Sequence, residues 1–177
     1  MSNMKVSLEK ITEADKSEFK HKIQEAFGIA LTENFGETEP IPSDKELEED
    51  FDAPDNITYN IICNNKKVGG AIVKINPKTQ RNSLELFFIY AGCHSSGIGL
   101  AAWKAIEAQY PETQVWETVT PYFEKRNINF YVNKCGFHIV EFCNKYHRSR
   151  DERYNQEQDN DIPGTEDFFV FEKIMKK

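Results

Sequence analysis

The chain has no long apolar run. None of its 177 residues lies in a stretch close to the ~20 apolar residues that a membrane-spanning helix requires, and Met1 to Lys10 is too polar for a secretory signal peptide. Charged residues make up 29% of the sequence, which is typical of a water-soluble domain. We therefore expect a soluble, cytoplasmic protein without a membrane partner.

The cysteine patterns that would indicate a disulfide framework or a zinc site are also missing. The four cysteines are scattered, with no C-x-x-C pair and no histidine at zinc-ligand spacing. Cys63, Cys135 and Cys143 lie among apolar residues that are typical of strands and helices. We predict free thiols and no metal site.

An excess of positive charge is absent as well. The net charge is −7, whereas proteins that bind nucleic acid usually present a basic face, so we expect no nucleic-acid partner. Residues 33–55 hold ten acidic residues and one lysine, and residues 148–167 hold seven acidic residues and three arginines. We call these stretches the first and second acidic segments; the rest of the chain is net positive.

The periodicity of the apolar residues predicts a single domain of the α/β (α+β) class. The length is that of one domain, and the sequence contains no internal repeat or linker. In chain order the pattern predicts a strand at 5–11, a helix from the N-cap Thr12 to Gly36, a short helix after the N-cap Ser43, strands at 57–63, 68–75 and 83–90, a helix at 98–110, a strand at 114–119, a helix at 125–134, and strands at 137–143 and 168–174.

The three middle strands are joined by short turns, which predicts an antiparallel meander. The third of them is nearly continuous in apolar residues, as expected for a strand at the centre of a sheet with both faces buried. Glu85 is the one charged residue within it.

The segment from Phe88 to Leu100 runs from the end of this strand, through a loop of small residues, to the start of a helix. Backbone N–H groups at a helix N-terminus lack intrahelical acceptors and lie at the positive end of the helix dipole. Gly97 and Gly99 would let a phosphate approach those groups closely. The segment therefore predicts an anion-binding site.

Three kinds of protein use such a junction. A P-loop is excluded, because no Gly-Lys-Ser/Thr ends the loop. Gly97 to Ala102 satisfies the G-x-G-x-x-A pattern of dinucleotide-binding folds, but six residues separate it from the preceding strand, and that strand follows an antiparallel meander. A loop that only turns the chain is a further alternative.

Two motifs indicate a third kind of protein that uses such a junction. The loop His94-Ser95-Ser96-Gly97-Ile98-Gly99 resembles the phosphate loop Arg/Gln-x-x-Gly-x-Gly/Ala of the GNAT superfamily, with His94 where Arg or Gln is usual. Asn127 to Phe137 is similar to the family's later helix, in which Phe-Tyr is followed by Gly-Phe. The order of the predicted elements agrees as well. On this resemblance the chain is identified as a member of the GNAT superfamily of acetyl-CoA-dependent N-acetyltransferases.

The resemblance implies one N-acetyltransferase domain over residues 1–177, with a mixed, mostly antiparallel sheet flanked by helices and splayed at its centre. It also implies direct transfer of an acetyl group from acetyl-CoA to an amine in a ternary complex. The residues implied in coenzyme A binding are Phe88, Ile89, Tyr90, His94, Ser95, Ser96, Gly97, Ile98, Gly99 and Leu100. Asn127 is added because Glu124 stands where the family's usual asparagine contacts coenzyme A.

For the chemistry, Tyr131 matches the family's general acid, which would protonate the departing thiolate. A core aromatic is the alternative, because Phe130 and Phe137 flank it. The resemblance also implies that the backbone N–H of Ile89 stabilises the oxyanion of the tetrahedral intermediate. Cys93 as a covalent nucleophile is disfavoured, because only the adjacent His94 is placed by sequence to act as its base.

The predicted base is Glu85. A protonated amine needs a base or a desolvating pocket before it can attack a thioester. A carboxylate in a central strand is costly to bury unpaired, and partial desolvation would raise its pKa toward neutrality. The alternative for Glu85 is an ion pair on the sheet surface with Lys74 or a neighbouring residue.

The two acidic segments coincide with regions that commonly wall the acceptor site in this family. They favour a small cationic amine as acceptor; the alternative is that they are solvated faces. Two other functions stay open, namely a non-catalytic acyl-CoA-binding or regulatory module on the same fold and a dinucleotide-binding oxidoreductase. The sequence leaves the identity of the amine and the oligomeric state open, and a homodimer is among the options.

Overall fold

One seven-stranded sheet organises the fold in the computed structural model, which describes residues 3–94, 97–159 and 166–176. The strands are β1 (Val6–Lys10), β2 (Asn56–Cys63), β3 (Lys66–Lys74), β4 (Arg81–Ile89), β5 (Val115–Pro121), β6 (His138–Cys143) and β7 (Phe168–Ile174). The α-helices are α1 (Lys16–Phe35), α2 (Asp44–Asp52), α3 (Ile98–Gln109) and α4 (Lys125–Asn129), and α4 continues into a π-helical turn, Phe130–Lys134. Short 3-10 helices span Glu13–Asp15 and Glu152–Asp159.

The sheet is mixed and mostly antiparallel, as predicted. Its strand order is β1-β2-β3-β4-β5-β7-β6, so β4 is the central strand. Every neighbouring pair is antiparallel except β4 with β5. The apolar run of β4 is buried, with Leu84, Phe87, Phe88 and Ile89 all in the core.

The parallel pair β4 and β5 separates halfway along its length. Pairing covers only Arg81 to Leu84 of β4 and Val115 to Thr118 of β5. The Thr118 hydroxyl donates to the Leu84 carbonyl at 3.0 Å at the last paired position. Beyond it, β4 stays paired with β3 and β5 stays paired with β7, so a gap opens between the two central strands. The predicted splay at the sheet centre is confirmed.

A β-bulge interrupts β4 where the gap begins. Val73 of β3 pairs with Leu84, and the adjacent Ile72 pairs with Leu86. Glu85 is therefore the additional residue of the bulged strand. Such bulges redirect a side chain. Glu85 is consequently exposed, and the prediction that the central strand buries it is wrong.

Helices cover both faces of the sheet. On one face, Phe19 and Ile23 of α1 and Leu47 of α2 pack with Ile72 and Phe88. On the other face, α3 and the α4 region pack on a larger cluster that includes Trp103, Trp116, Tyr131, Phe137 and Phe171. This alternation of side chains between two covered faces is what a central strand rich in apolar residues requires.

Both N-caps that the sequence predicts, Thr12 and Ser43, are present. Thr12 and Asp15 form a capping box ahead of α1, with the Thr12 N–H donating to Asp15 at 2.8 Å. Ser43 and Glu46 form another at α2, with reciprocal bonds of 2.7 and 3.2 Å. Cys63, Cys135 and Cys143 are free thiols, as predicted. Within the described ranges, no helix combines the length and apolar character needed to cross a membrane.

Gly70 controls how closely α1 approaches the sheet. A Cβ atom at this position would lie 2.3 Å from Phe19 Cε2 and 2.7 Å from Phe88 Cε1. Gly70→Ala is therefore expected to lower the free energy of unfolding by about 1–3 kcal/mol through overpacking. Urea denaturation would measure the change.

Gly28, inside α1, is the matched control, because no atom lies within 4 Å of a Cβ placed there. Gly28→Ala should stabilise the protein by roughly 0.5–1 kcal/mol through helix propensity. If the two variants changed stability equally and in the same direction, the close approach at Gly70 would not be the cause.

Candidate active site

A cavity of about 530 Å³ lies at the gap between β4 and β5. Its lining includes Phe87 of β4, Thr118 of β5 and Leu31 of α1, which belong to different faces of the sheet. The cavity therefore extends through the splay. Residues of α2 and the α4 region complete it.

One helical face carries three of the cavity's polar side chains. Glu124, at the N-cap of α4, is followed at intervals of three and seven residues by Asn127 and Tyr131, and all three line the cavity. This spacing places side chains on the same side of a helix. The structure thus brings the predicted Asn127 and Tyr131 together, and it adds Glu124.

Tyr131 lies at the inner end of this face and is 5% exposed. Its ring packs against Phe137 and Phe171, with centroids 5.6 and 5.8 Å away. Burial strongly raises the pKa of Tyr131, a nearby Cys135 adds to the rise, and a hydrogen bond with the Thr118 hydroxyl opposes it. The phenol therefore stays protonated at neutral pH and can donate a hydrogen bond into the cavity. Tyr131 is therefore a core aromatic residue that also lines the cavity.

The backbone of Ile89 faces the gap. Ile89 pairs with Gly69 of β3, while the next residue, Tyr90, donates its N–H to the Val68 carbonyl at 2.7 Å. Successive residues of a strand direct their N–H groups to opposite edges. The N–H of Ile89 therefore points away from β3, toward the side from which β5 has diverged.

The glycine loop leads into α3 as predicted. Gly97 is the N-cap residue with φ +80°, a left-handed conformation that favours glycine, and its carbonyl accepts from the Ala101 N–H at 3.1 Å. The amides of Ile98, Gly99 and Leu100 occupy the first turn, where helices leave N–H groups without intrahelical partners. A Cβ at Gly99 would lie 3.3 Å from the Phe130 ring, so this helix start packs closely on the α4 region.

The other predicted loop residues behave differently. His94 is exposed; partial desolvation and then the charge of Arg126 lower its pKa, and a hydrogen bond with the Ile89 backbone opposes this. Ser95 and Ser96 lie outside the described residues. The side chains of Phe88 and Tyr90 point to the α1 face, so the structure does not bring them into the cavity.

Comparison with known proteins identifies the family. The sequence matches the Acetyltransferase (GNAT) family over residues 23–137. This chain belongs to the GNAT family. It is also 58% identical to the uncharacterized protein YrkN of Bacillus subtilis (strain 168), over 98% of this chain and 95% of that protein.

Two solved structures share the GNAT fold. The ribosomal-protein-S18-alanine N-acetyltransferase from Escherichia coli superimposes with a TM-score of 0.68 at 14% identity, covering 98% of this chain and 96% of that one. A Bacillus subtilis acetyltransferase in complex with CoA gives a TM-score of 0.66 at 15% identity, covering 98% and 100%. The chain is therefore a GNAT acyltransferase, and neither the dinucleotide-binding nor the non-catalytic alternative holds.

Two carboxyl groups in this GNAT cavity are desolvated, and sequence reasoning missed both. Burial, followed by the charges of Glu85, Glu46 and Glu49, raises the pKa of Asp50 to about 6. Burial, followed by the charge of Glu33, raises the pKa of Glu124 to about 7. The seven-residue spacing from Glu124 to Tyr131 was the available sequence signal.

Glu85 lies at the cavity wall with a different environment from the one predicted. It accepts a hydrogen bond from the Ser83 hydroxyl, and it lines a second, smaller cavity of about 220 Å³ together with Lys74 and Arg153. Among the described residues no ion pair joins Glu85 to Lys74, so that alternative is not observed either. Cys93 does not line the larger cavity.

The acidic segments contribute unequally. The first supplies Glu46, Glu49 and Asp50 of α2 to the cavity. From the second, the described residue that reaches the cavity is basic: Arg153, which pairs with Asp151 and with Glu117 of β5. Within the described residues, the expectation of an acidic wall is therefore met by the first segment; residues 160–165 of the second lie outside the described part of the chain.

A group of metal-ligand types lies away from the cavity. Ligand atoms of Glu141, Cys143 and His147 lie within 4.8 Å of one another. The Glu141 carboxylate is already an acceptor for His147 at 3.0 Å and for the Ser149 hydroxyl at 2.8 Å. We interpret the group as a hydrogen-bonded network that ties the chain after β6 to that strand.

The raised pKa of Glu124 predicts a pH-dependent cost in stability. Its folded-state pKa of about 7 exceeds the ordinary value of 4.5, so the folded state binds more protons between these pH values and stability falls as pH rises through them. Glu124→Gln should raise the free energy of unfolding at pH 8 by about 1–3 kcal/mol, and by much less at pH 5. Urea denaturation at both pH values measures this. The exposed Glu37→Gln is the control, and an equal gain at both pH values would contradict the explanation.

Proposed function

We propose that this GNAT enzyme transfers an acetyl group from acetyl-CoA directly to a cationic primary amine, within one N-acetyltransferase domain spanning residues 1–177. The observation that carries the proposal is the cavity at the splay, which a neutral phenol and several carboxylates line, together with the Ile89 N–H, which points away from β3 into the gap. Each of these groups corresponds to one requirement of aminolysis of a thioester.

The residues present fit coenzyme A. The first turn of α3 offers backbone N–H groups, and Gly97 and Gly99 leave no Cβ above them, which is what a pyrophosphate requires. The fold neighbour from Bacillus subtilis binds CoA. The adjacent end of β4 would then hold the thioester beside the gap, with the N–H of Ile89 available to its oxygen.

The chain's own groups can carry out the transfer. A carboxylate of the cavity takes a proton from the ammonium, whose deprotonation at pH 7 costs roughly 4.6 kcal/mol for a pKa of about 10.4. The Ile89 N–H stabilises the oxyanion that forms when the amine nitrogen attacks. Tyr131 donates its proton to the departing thiolate. No covalent enzyme intermediate is needed.

The charge of the cavity supports a cationic acceptor. Glu46, Glu49, Asp50, Glu85 and Glu124 all line it, against Lys45 and Arg153. Arg153 is already paired with Asp151 and Glu117, which offsets its charge. A positively charged amine would relieve the mutual repulsion of the carboxylates, whereas an anionic acceptor would be repelled.

Tyr131→Phe tests the general acid. We expect kcat to fall by about 100-fold, because the thiolate then leaves without a proton, while the Kd for acetyl-CoA by isothermal titration changes less than about twofold. Tyr154→Phe is the matched control: its buried hydroxyl has no hydrogen-bond partner among the described residues, and it lies outside the larger cavity. Absence of acetyl-CoA binding by the wild type would remove the proposed function.

Asp50→Asn tests the cationic acceptor. Loss of one buried negative charge should raise KM for a diamine such as cadaverine several-fold, with little change in kcat, because the charge acts on binding. Asp52→Asn, at the exposed end of the same helix, should leave KM unchanged. Equal KM values for the wild type and Asp50→Asn would show that the acidic lining is only a solvated surface.

A further inference from the structure

The identity of the catalytic base depends on which cavity carboxylate stands nearest the reacting atoms. Glu85 is exposed at the bulge of β4 and is held by the Ser83 hydroxyl. Asp50 belongs to a group of neighbouring acidic residues on α2 and β4. Glu124 shares its helical face with Tyr131. It is not among the acidic residues that act on Asp50.

We propose that Glu124 is the catalytic base of the acetyl transfer, and that Glu85 instead helps to bind the positive charge of the acceptor. This inference rests on the proposed function, and it replaces the assignment of the base to Glu85.

The position of Glu124 supports this role. The cavity carboxylate whose charge acts on the Tyr131 phenol is Glu124. Seven residues of helix rise about 10 Å, a separation that the two side chains, an amine nitrogen and one bridging water can span. A base at one end of the face and an acid at the other would place the attacking nitrogen and the departing sulfur between them.

The packing around Glu124 keeps its carboxyl partly desolvated. Phe123 packs edge-on against Phe35 at the end of α1, with ring centroids 5.1 Å apart, which closes this side of the cavity. The described residues include no hydrogen-bond or ion-pair partner for the Glu124 carboxylate, and its pKa is raised by burial and by the charge of Glu33. A carboxylate in this situation is available to accept a proton.

The charged groups around the cavity set the pH at which Glu124 works. The charge of Glu33 in α1 disfavours the ionised form of Glu124. Further titratable groups on the same cavity are Lys45, Glu46, Glu49 and Asp50 of α2, Glu85 of β4, Tyr131, and Arg153. With a pKa raised to about 7, Glu124 is half ionised near neutrality, which is the range in which a general base is most effective.

The protons balance through two residues. The ionised Glu124 takes one proton from the ammonium, and the freed nitrogen forms its bond to the thioester carbon. As the carbon–sulfur bond breaks, Tyr131 gives its proton to the thiolate. After the attack the nitrogen still carries two protons, and it passes one of them to the Tyr131 phenolate, which becomes a phenol again. Glu124 then releases the proton that it took from the ammonium to solvent. The net products are the amide, the thiol and one proton.

The test compares Glu124→Gln with Glu85→Gln, using acetyl-CoA and cadaverine between pH 6 and pH 9. In the wild type, kcat/KM should fall as pH drops through about 7, because Glu124 becomes protonated. Glu124→Gln should lose about 100-fold in kcat/KM and also lose this acidic limb. Glu85→Gln should raise KM several-fold and keep the limb.

Two further measurements separate catalysis from structure. Isothermal titration of Glu124→Gln with acetyl-CoA should give a Kd within about twofold of wild type. Glu124→Asp, which keeps a carboxylate, should retain the acidic limb and recover part of the rate.

The outcomes that overturn the proposal are distinct. An unchanged acidic limb in Glu124→Gln, or its loss in Glu85→Gln, would return the base to Glu85 or to another group. A large increase in the acetyl-CoA Kd with an unaltered limb would make Glu124 a cofactor-binding residue. A wild type that binds acetyl-CoA but acetylates no amine would overturn the proposed function itself.

Discussion

The separation of β4 from β5 after Leu84 and Thr118 is the constraint on which the site depends. Pairing the two strands along their whole length would satisfy their backbone groups but would leave no gap. The separation instead leaves the edge of β4 beyond Leu84 without a strand partner on the β5 side, and buried backbone groups need hydrogen bonds from some other source. A bound substrate with amide and carbonyl groups can supply them. In the proposed function, the gap that costs the sheet hydrogen bonds is therefore the place where ligand groups bind.

Neighbouring parts of the structure hold this gap open. β4 remains paired with β3, and β5 remains paired with β7 along its full length, so neither strand loses its support where they diverge. The Tyr131 ring packs among Phe137 and Phe171 beside the gap and makes a hydrogen bond with Thr118 at the last paired position. The Tyr131 ring is thereby fixed by the core at the wall of the cavity, and such preorganisation is what the proposed general acid needs.

Local sequence patterns predicted much of the fold. The N-caps Thr12 and Ser43, the antiparallel meander and the central position of β4 all follow from signals within a few residues of one another. The helix start at Gly97 was predicted for the same reason. The family resemblance supplied the splay, which periodicity alone does not contain.

The environment of Glu85 could not be predicted, because it depends on the register between two strands. A bulge of one residue decides whether that side chain faces the core or the solvent, and the period of β4 by itself is compatible with either. Glu124 was missed for a similar reason. Its surroundings depend on how α1 packs beside the start of α4, as in the contact of Phe123 with Phe35, which are 88 positions apart in the sequence. Only the seven-residue interval to Tyr131 is local.

Burying carboxyl groups in this cavity costs the fold free energy, and that cost indicates how the site functions. Desolvation and the charges of other carboxylates disfavour the ionised forms of Asp50 and Glu124. Both groups therefore have raised pKa values. A cationic substrate reverses this situation, because its charge favours the ionised carboxylates and excludes water around them. The helical face from Glu124 to Tyr131 then has a carboxylate ready to gain a proton at its open end and a phenol ready to lose one at its buried end. In the proposed mechanism, this difference in burial along the face gives opposite roles to two groups on the same helix.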